Sequence, residues 1–179
     1  MSSLYERILG ASFQNLSPVL KRIHDSRAHK RYVGRCTIER GKGWLAHAVA
    51  RIARLPDSND DAPVEVTIDC SETGEMWARR FGAHPMISVL RDRCHMLEEK
   101  LGAVTLRFEL VATSDKIEWL FRGARFLLFP LPASWFAACT AYEMTDGIQY
   151  RFDVHAEMRG VGLLVRYRGW MVEHEGRIE

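Results

Sequence analysis

Apolar and polar residues alternate along most of the chain after residue 63, which is the pattern of half-buried β-strands. The clearest runs cover residues 64–70, 75–81, 104–110, 117–121, 148–157 and 161–171, and a separate run covers 31–40. Turn residues such as Thr73-Gly74 and Arg159-Gly160 separate them. Short strands at this spacing predict an antiparallel meander closed into a barrel or packed as a sandwich.

Helical periodicity appears twice, both times before residue 63. Residues 1–26 form an amphipathic segment, in which Ser17-Pro18 indicates an N-cap and the first position of a restarted helix. Residues 43–55 carry one apolar stripe, and Leu55-Pro56 ends it. The stripe consists of Trp44, Leu45, Ala48, Val49, Ile52 and Leu55. This second helix falls between the first and second predicted strands.

The predicted fold is therefore mainly β, or α+β by content, with residues 1–179 as one domain. We expect a calycin-like barrel or a strongly curved antiparallel sheet over residues 31–172, a helical cap over 1–26, and a lid-like helix at 43–55. The alternative is a START-like helix-grip sheet. That fold needs a long C-terminal helix, and residues 173–177 are too few to supply one.

One apolar run, Phe126-Leu127-Leu128-Phe129-Pro130-Leu131-Pro132, breaks the alternation. Its two prolines exclude a central strand. We expect the segment to cross one end of the core and to be buried on both sides. The alternative is a gating loop beside a ligand entrance, because exposed apolar patches mark binding surfaces.

Composition narrows the possible functions. The chain has 179 residues, of which 47% are hydrophobic, and its formal net charge of +2 is too small to predict nucleic-acid binding. Four widely spaced cysteines and seven scattered histidines lack metal-ligand spacing, so we expect no metal site. Without a glycine-rich nucleotide motif we expect no cofactor. Without a signal peptide or membrane span, we expect a cytoplasmic protein.

Several segments together resemble a bacterial domain family of unknown function. They are residues 4–10 (LYERILG), 39–41 (ERG), the helix at 44–56, 77–82 (WARRFG), 129–132 (FPLP), 152–154 (FDV) and 165–170 (VRYRGW). That family occurs alone or fused to saccharopine-dehydrogenase-like reductase modules. The resemblance implies no established activity. It implies a companion reductase that acts on whatever this domain holds.

Trp77 and Arg79 share one strand face with Glu75. An arginine on a buried face needs a partner, and Glu75 or Glu98 is available. Arg79 is therefore the best candidate for a polar anchor, able to bind a carboxylate inside an otherwise apolar cavity. The alternative is a purely structural ion pair.

Asp153 and His155 share a face of another strand with Arg151. An aspartate beside a histidine can orient it for general base chemistry. In a small barrel, however, the apolar face points inward and the charged face points to solvent. We therefore expect these residues outside, where they form ordinary surface ion pairs with Arg166 and Arg168.

The sequence favours a binding module over an enzyme. We predict that it holds an apolar or amphipathic small molecule, lipid-like and carrying a carboxylate, in a barrel cavity. The candidate ligand contacts are Trp44, Trp77, Arg79, Glu98 and Tyr167. The basic face of the 43–55 helix offers a transient contact with a membrane surface. The alternatives are an acid–base enzyme using Asp153 and His155, and an accessory domain of a reductase.

Overall fold

A short helical segment begins the chain in the computed structural model, which describes residues 2–174. It contains α1 (Leu4–Leu9), a 3-10 helix (Gly10–Asn15) and α2 (Pro18–Ile23). Ser3 and Glu6 form a capping box at the start of α1, and the Ser17 side chain accepts a hydrogen bond from the Leu20 N–H. The predicted restart at Ser17-Pro18 is confirmed.

Eleven strands, one further helix and one further 3-10 helix follow in the part of the chain up to residue 174. The strands are β1 (His29–Arg40), β2 (Asn59–Ser71), β3 (Gly74–Phe81), β4 (His84–Asp92), β5 (Leu97–Leu101), β6 (Val104–Ala112), β7 (Lys116–Phe126), β8 (Phe129–Leu131), β9 (Thr140–Thr145), β10 (Tyr150–Met158) and β11 (Gly162–Glu173). The helix α3 (Trp44–Ile52) lies between β1 and β2, as predicted, and a 3-10 helix (Ala133–Phe136) lies between β8 and β9.

The strands form a closed antiparallel barrel. Neighbours in the chain pair with each other except β8 and β9, β7 pairs with β9, and β1 pairs with β11 to close the ring. The barrel wall has ten strands, because β8 pairs only with β7 and stands outside the ring. The mainly β meander is confirmed, and it is closed. The helix-grip alternative is wrong, since the sheet closes and β11 extends to Glu173.

The two ends of the barrel differ. Because successive strands run in opposite directions, the N-terminal helices and the connections 72–73, 93–96, 113–115 and 146–149 share one end, the closed end. The Ser17 N–H donates to the Ser114 carbonyl there, at 2.6 Å. The connections 41–58, 82–83, 102–103, 127–139 and 159–161 form the opposite end, the open end. The predicted helical cap therefore covers one end of the core.

Inward side chains alternate with outward ones, as the hydrophobic pattern predicts. Tyr32, Cys36 and Ile38 of β1 are buried, and so are Val64, Val66 and Ile68 of β2. No helix among residues 2–174 combines the length and the apolar character needed to cross a bilayer.

The apolar run at 126–132 is not buried, which corrects the expectation from sequence. It forms the β7–β8 hairpin at the open end, and the Leu128 side chain at its tip is 88% exposed. Pro130 is tolerated because β8 pairs with one strand only and so forms a sheet edge. The hairpin lies at the rim of the open end, and this exposed position agrees with the alternative interpretation of the run as a loop.

Candidate ligand-binding cavity

A cavity of about 410 Å³ occupies the interior of the barrel. Most of its wall is apolar, and the side chains that line it come from strands all around the ring. Representative wall residues are Val66, Met86, Phe108, Phe121, Phe152 and Val154. Its volume falls in the range of about 300–1,000 Å³ that is usual for small-molecule sites.

The mouth of the cavity is at the open end. Ile52 of α3 and Trp135 of the second 3-10 helix both line the cavity and both are exposed. Phe126 and Leu131 of the β7–β8 hairpin complete this side of the lining. The mouth opens between β7 and β9. Residues 116–119 of β7 pair with β9, but residues 124–126 pair with β8, so β9 does not continue alongside β7 to its end.

Helix α3 covers part of the mouth. Its apolar stripe turns Val49 and Ile52 toward the cavity, while Ala46 and Ala50 are buried against the barrel. Arg40 holds the end of the helix, because its guanidinium donates to the carbonyls of Leu55 and Pro56 at 3.0 and 2.9 Å. The predicted lid-like position of this helix is confirmed.

Glu143 is the centre of a buried polar cluster near the closed end. Its Oε1 accepts hydrogen bonds from the Tyr5 hydroxyl at 3.1 Å and from the Trp119 indole N–H at 2.9 Å. Its Oε2 is hydrogen-bonded to His24 Nε2. The Tyr5 ring stacks on His24 with centroids 3.5 Å apart. The cluster therefore joins the helical cap to the barrel wall.

Glu75 extends this cluster on the facing strand. Its Oε2 accepts from the Trp77 indole N–H at 2.8 Å, and the Trp77 ring lies 6.0 Å from His24. Burial raises the pKa of the Glu75 carboxyl, and the charge of His24 and the Trp77 hydrogen bond oppose this only in part. Glu75 Oε1 and His24 Nδ1 are buried and lack a hydrogen-bond partner among residues 2–174.

Phenol groups also face these carboxylates. Burial raises the pKa of Tyr5 and of Tyr150 well above the usual value, and the negative charge of Glu143 adds to the effect. Tyr150 and Glu143 both line the cavity. The inner end of the cavity thus presents the neutral Tyr150 hydroxyl beside the Glu143 carboxylate.

Arg79 lies in the half of β3 nearer the open end, with its guanidinium inside the barrel. It donates to Ser88 Oγ at 2.7 Å and to Glu99 Oε1 at 3.1 Å, and it lies 4.8 Å from the centre of the Trp77 ring. Burial alone would lower the pKa of Arg79, but the attraction and hydrogen bond of Glu99, together with the neighbouring Tyr167, outweigh it and the net direction is upward. Arg79 is therefore charged and already paired.

Three of the five predicted ligand contacts come together in the cavity lining: Trp77, Arg79 and Tyr167. Burial raises the pKa of Tyr167 to about 12, although the charge of Arg79 opposes this. Trp44 does not line the cavity. Its side chain is 78% exposed and stands on the outer edge of the mouth.

Glu98 lies outside the barrel, so it is not the partner of Arg79. It forms an ion pair with Arg125 at 2.9 Å, and Arg107 lies 3.5 Å away. The partner is the next residue, Glu99, because successive side chains of β5 point to opposite faces.

The proposed Asp153–His155 pair is not formed. Asp153 accepts two hydrogen bonds from Arg166, at 3.1 and 2.7 Å, on the outer face. His155 Nε2 lies 3.2 Å from Glu157 Oε2, near the open end. Asp153 has the outward orientation expected from the sequence, whereas His155 lines the cavity near its mouth, so the expectation that both lie outside is wrong for His155.

Sequence reasoning did not identify the Glu143 cluster. Glu143 lies in β9, a strand that the hydrophobic pattern does not reveal, because TAYEMT alternates weakly. His24 carried a detectable signal, since it follows Leu20 and Ile23 on the apolar face of α2. A histidine on such a face needs a buried partner, but the sequence does not say which.

Comparison with known proteins identifies a family but no activity. A family model described as a domain of unknown function, DUF4166, matches residues 16–171. No curated protein matches the chain. The crystal structure of Rv2717c from M. tuberculosis is similar at 14% sequence identity with a TM-score of 0.48, over 89% of this chain and 99% of that chain. So low a similarity carries no argument about function.

Proposed function

We propose that the protein, which belongs to the DUF4166 family, binds an apolar or amphipathic small molecule inside its barrel. The observation that carries this proposal is the cavity of about 410 Å³ with apolar walls and a mouth at one end. A cavity lined in this way favours occupants that remove apolar surface from water. A few polar groups at the inner end of the cavity can orient the bound molecule.

The polar groups favour a neutral head group over a carboxylate. Arg79 supports a carboxylate, as the sequence suggested, but Glu99 already neutralises it. Glu143 adds a further carboxylate to the lining and has three hydrogen-bonding partners of its own. A ligand carboxylate would therefore enter a site without spare positive charge, which is costly. A hydroxyl can donate to Glu143 and can accept from Tyr150.

Native mass spectrometry of the protein purified from the cells that produce it is the first test. We expect a bound mass that is lost on denaturation and extracts into organic solvent. A fluorescent apolar probe then allows competition between a long-chain alcohol and the fatty acid of equal length. We expect the alcohol to displace the probe at the lower concentration.

A pair of substitutions controls for general effects. Val154 lines the cavity, so Val154→Trp should fill it and abolish probe binding. Val111 is exposed on the outer face of β6, so Val111→Trp should leave binding unchanged. The proposal is wrong if the wild-type protein carries no extractable mass and binds no probe. It is also wrong if the folded Val154→Trp protein binds the probe as well as wild type.

A further inference from the structure

We propose that the open end of the barrel docks onto a lipid bilayer rich in anionic lipids. This inference does not rest on the proposed function, because a surface can dock whether or not the cavity is occupied. Its first basis is where the large exposed apolar side chains lie. Those at the open end are Trp44, Leu45, Ile52, Phe126, Leu127, Leu128, Phe129 and Trp135, which we call the apolar rim.

The apolar rim comes from three separate segments around one mouth: α3, the β7–β8 hairpin and the second 3-10 helix. Such a concentration of apolar surface is unusual on a protein that meets only water. The Leu128 and Phe129 side chains are 88% and 73% exposed, so no neighbouring residue among 2–174 covers them. Two of its members are tryptophans, the residue type enriched where a bilayer meets water.

The segments that carry the apolar rim are basic. Residues 41–55 contain Lys42, Arg51 and Arg54 and no acidic residue, and the carboxylates that follow them in the chain include Asp57 and Asp61, which pair with Arg40 and Arg35. Within the part of the chain that the structure describes, no carboxylate lies within ion-pairing distance of Lys42, Arg51 or Arg54. The stretch from residue 119 to 142 contains arginines and no acidic residue. Exposed apolar side chains flanked by the cations of the α3 segment fit an anionic lipid surface.

The closed end has a different character. Its helices and connections mix both signs, as in the ion pair of Arg27 with Asp25. In those helices and connections, within residues 2–174, the one large exposed apolar side chain is Ile148, at 83%. Because the two ends differ in this way, we expect the open end, which carries the mouth, to face the bilayer.

A second copy of the chain is a poorer occupant of the same surface. A face-to-face dimer would bring the basic α3 segments of two apolar rims together, and like charges repel. Lipid phosphates supply the opposite charge, while the acyl region accepts the rim side chains. A ligand could then pass between the bilayer and the cavity without entering water. Docking itself does not depend on such a transfer.

Vesicle sedimentation tests the proposal with the full chain. One set of vesicles is phosphatidylcholine alone, and the other contains about a third phosphatidylglycerol. We expect sedimentation with the anionic vesicles, weaker in high salt because screening reduces the electrostatic attraction. Leu128→Asp with Phe129→Asp should weaken binding at least about tenfold, since each removes an inserted apolar group. Arg51→Glu should weaken it by about tenfold.

Matched controls lie at the closed end. Ile148→Asp makes the same kind of change at a comparably exposed side chain, and Arg22→Glu reverses an exposed charge in the last turn of α2 as Arg51→Glu does in α3. Neither should change vesicle binding. Tryptophan emission should shift to shorter wavelength on binding, and Trp44→Phe with Trp135→Phe should remove that shift.

Equal binding of wild type to neutral and anionic vesicles would overturn the charge basis of the proposal. Absence of vesicle binding would overturn the whole docking proposal. Equal losses of vesicle binding in the open-end and closed-end variants would overturn it too. Concentration-dependent dimerisation that Leu128→Asp abolishes, without vesicle binding, would assign the surface to a second copy instead. Failure of vesicle binding leaves ligand retention by native mass spectrometry unaffected, so the two proposals can fail separately.

Discussion

Glu143 of β9 and His24 at the end of α2 are 119 residues apart in the chain and share a buried hydrogen bond. The His24 side chain is fully buried, and Tyr5 stacks on it while donating to the same carboxylate. Lys30 of β1 makes a second polar contact between the barrel and the helical segment, because its ammonium donates to the carbonyls of Ile23 and Asp25 at 2.8 Å each. The helical segment is thus fastened to the barrel by buried polar contacts as well as by apolar burial.

The first prediction concerns Glu143→Leu. It leaves the Tyr5 hydroxyl, the Trp119 N–H and the His24 ring without their acceptor in a buried site. Each unsatisfied group costs about 1–3 kcal/mol, so the free energy of unfolding should fall by about 3 kcal/mol or more. Glu143→Gln keeps an acceptor oxygen and should cost less. Urea denaturation measures both.

Glu157 offers a control for that experiment, because its carboxylate is partly exposed and bonded to His155 near the mouth. Glu157→Leu should change the free energy of unfolding by less than about 1 kcal/mol, as for other exposed pairs. A Glu143→Leu protein as stable as Glu157→Leu would show that the buried cluster does not fasten the cap.

The second prediction is a pH dependence at Glu75. Its pKa is raised in the folded protein, mainly by burial, so the folded state favours the protonated form. The stabilisation is fully present below the unfolded value of about 4.5 and is lost as pH rises through the folded pKa. Glu75→Gln mimics the protonated group and retains an acceptor for the Trp77 N–H. Relative to wild type, it should therefore gain stability as pH rises from 4 to 8.

Urea denaturation at several pH values gives this difference directly. Glu72→Gln, in the exposed turn before β3, is the matched substitution and should leave the shape of the stability curve unchanged. If Glu75→Gln and Glu72→Gln give the same pH profile, Glu75 is not held in its protonated form by the fold.

The meander could be predicted because its inward face is apolar on almost every strand. Val64, Val66 and Ile68 alternate with polar residues, and this period of two has one structural meaning. The strand β9 could not be predicted, because Ala141 and Glu143 occupy its inward positions and do not form an apolar row. In the sequence, a glutamate that points inward cannot be distinguished from an exposed one, because its buried partners come from distant elements.

The candidate site was predictable only where its residues share one strand. Trp77 and Arg79 were placed on one face by the period of two, and that face is inward. The choice between Glu98 and Glu99 as partner depends on which face of β5 turns inward, and that orientation follows from the register with β4. The 126–132 run was misjudged because apolar composition alone does not distinguish a buried crossing from an exposed rim.

The third prediction concerns the β1–β11 pairing that helps close the ring. A Cβ added at Gly34 would lie 1.8 Å from the Trp170 carbonyl oxygen, which is backbone and has no freedom to move aside. Gly34→Ala should therefore separate the two strands locally and lower the melting temperature by several degrees, as expected for about 1–3 kcal/mol of strain. Gly123→Ala in β7 meets nothing within 4 Å and is the control. Equal melting temperatures for the two variants would contradict this account.

The fourth prediction separates two roles for Arg79. Arg79→Met leaves the Glu99 carboxylate buried without its counter-ion, so the free energy of unfolding should fall by about 3–5 kcal/mol. Adding Glu99→Leu removes the stranded charge, and the double variant should recover most of that loss, because apolar replacements of buried ion pairs are often neutral or stabilising. Urea denaturation of wild type, both single variants and the double variant gives the coupling energy.

Probe binding by the double variant then distinguishes structure from recognition. If the Arg79–Glu99 pair only stabilises the wall, the stable double variant binds the long-chain alcohol as wild type does, which is the result we expect for a pair that is already neutralised. A loss of fatty-acid binding with alcohol binding intact would instead identify Arg79 as a carboxylate anchor, and Glu99 would then have to exchange its partner when the ligand enters.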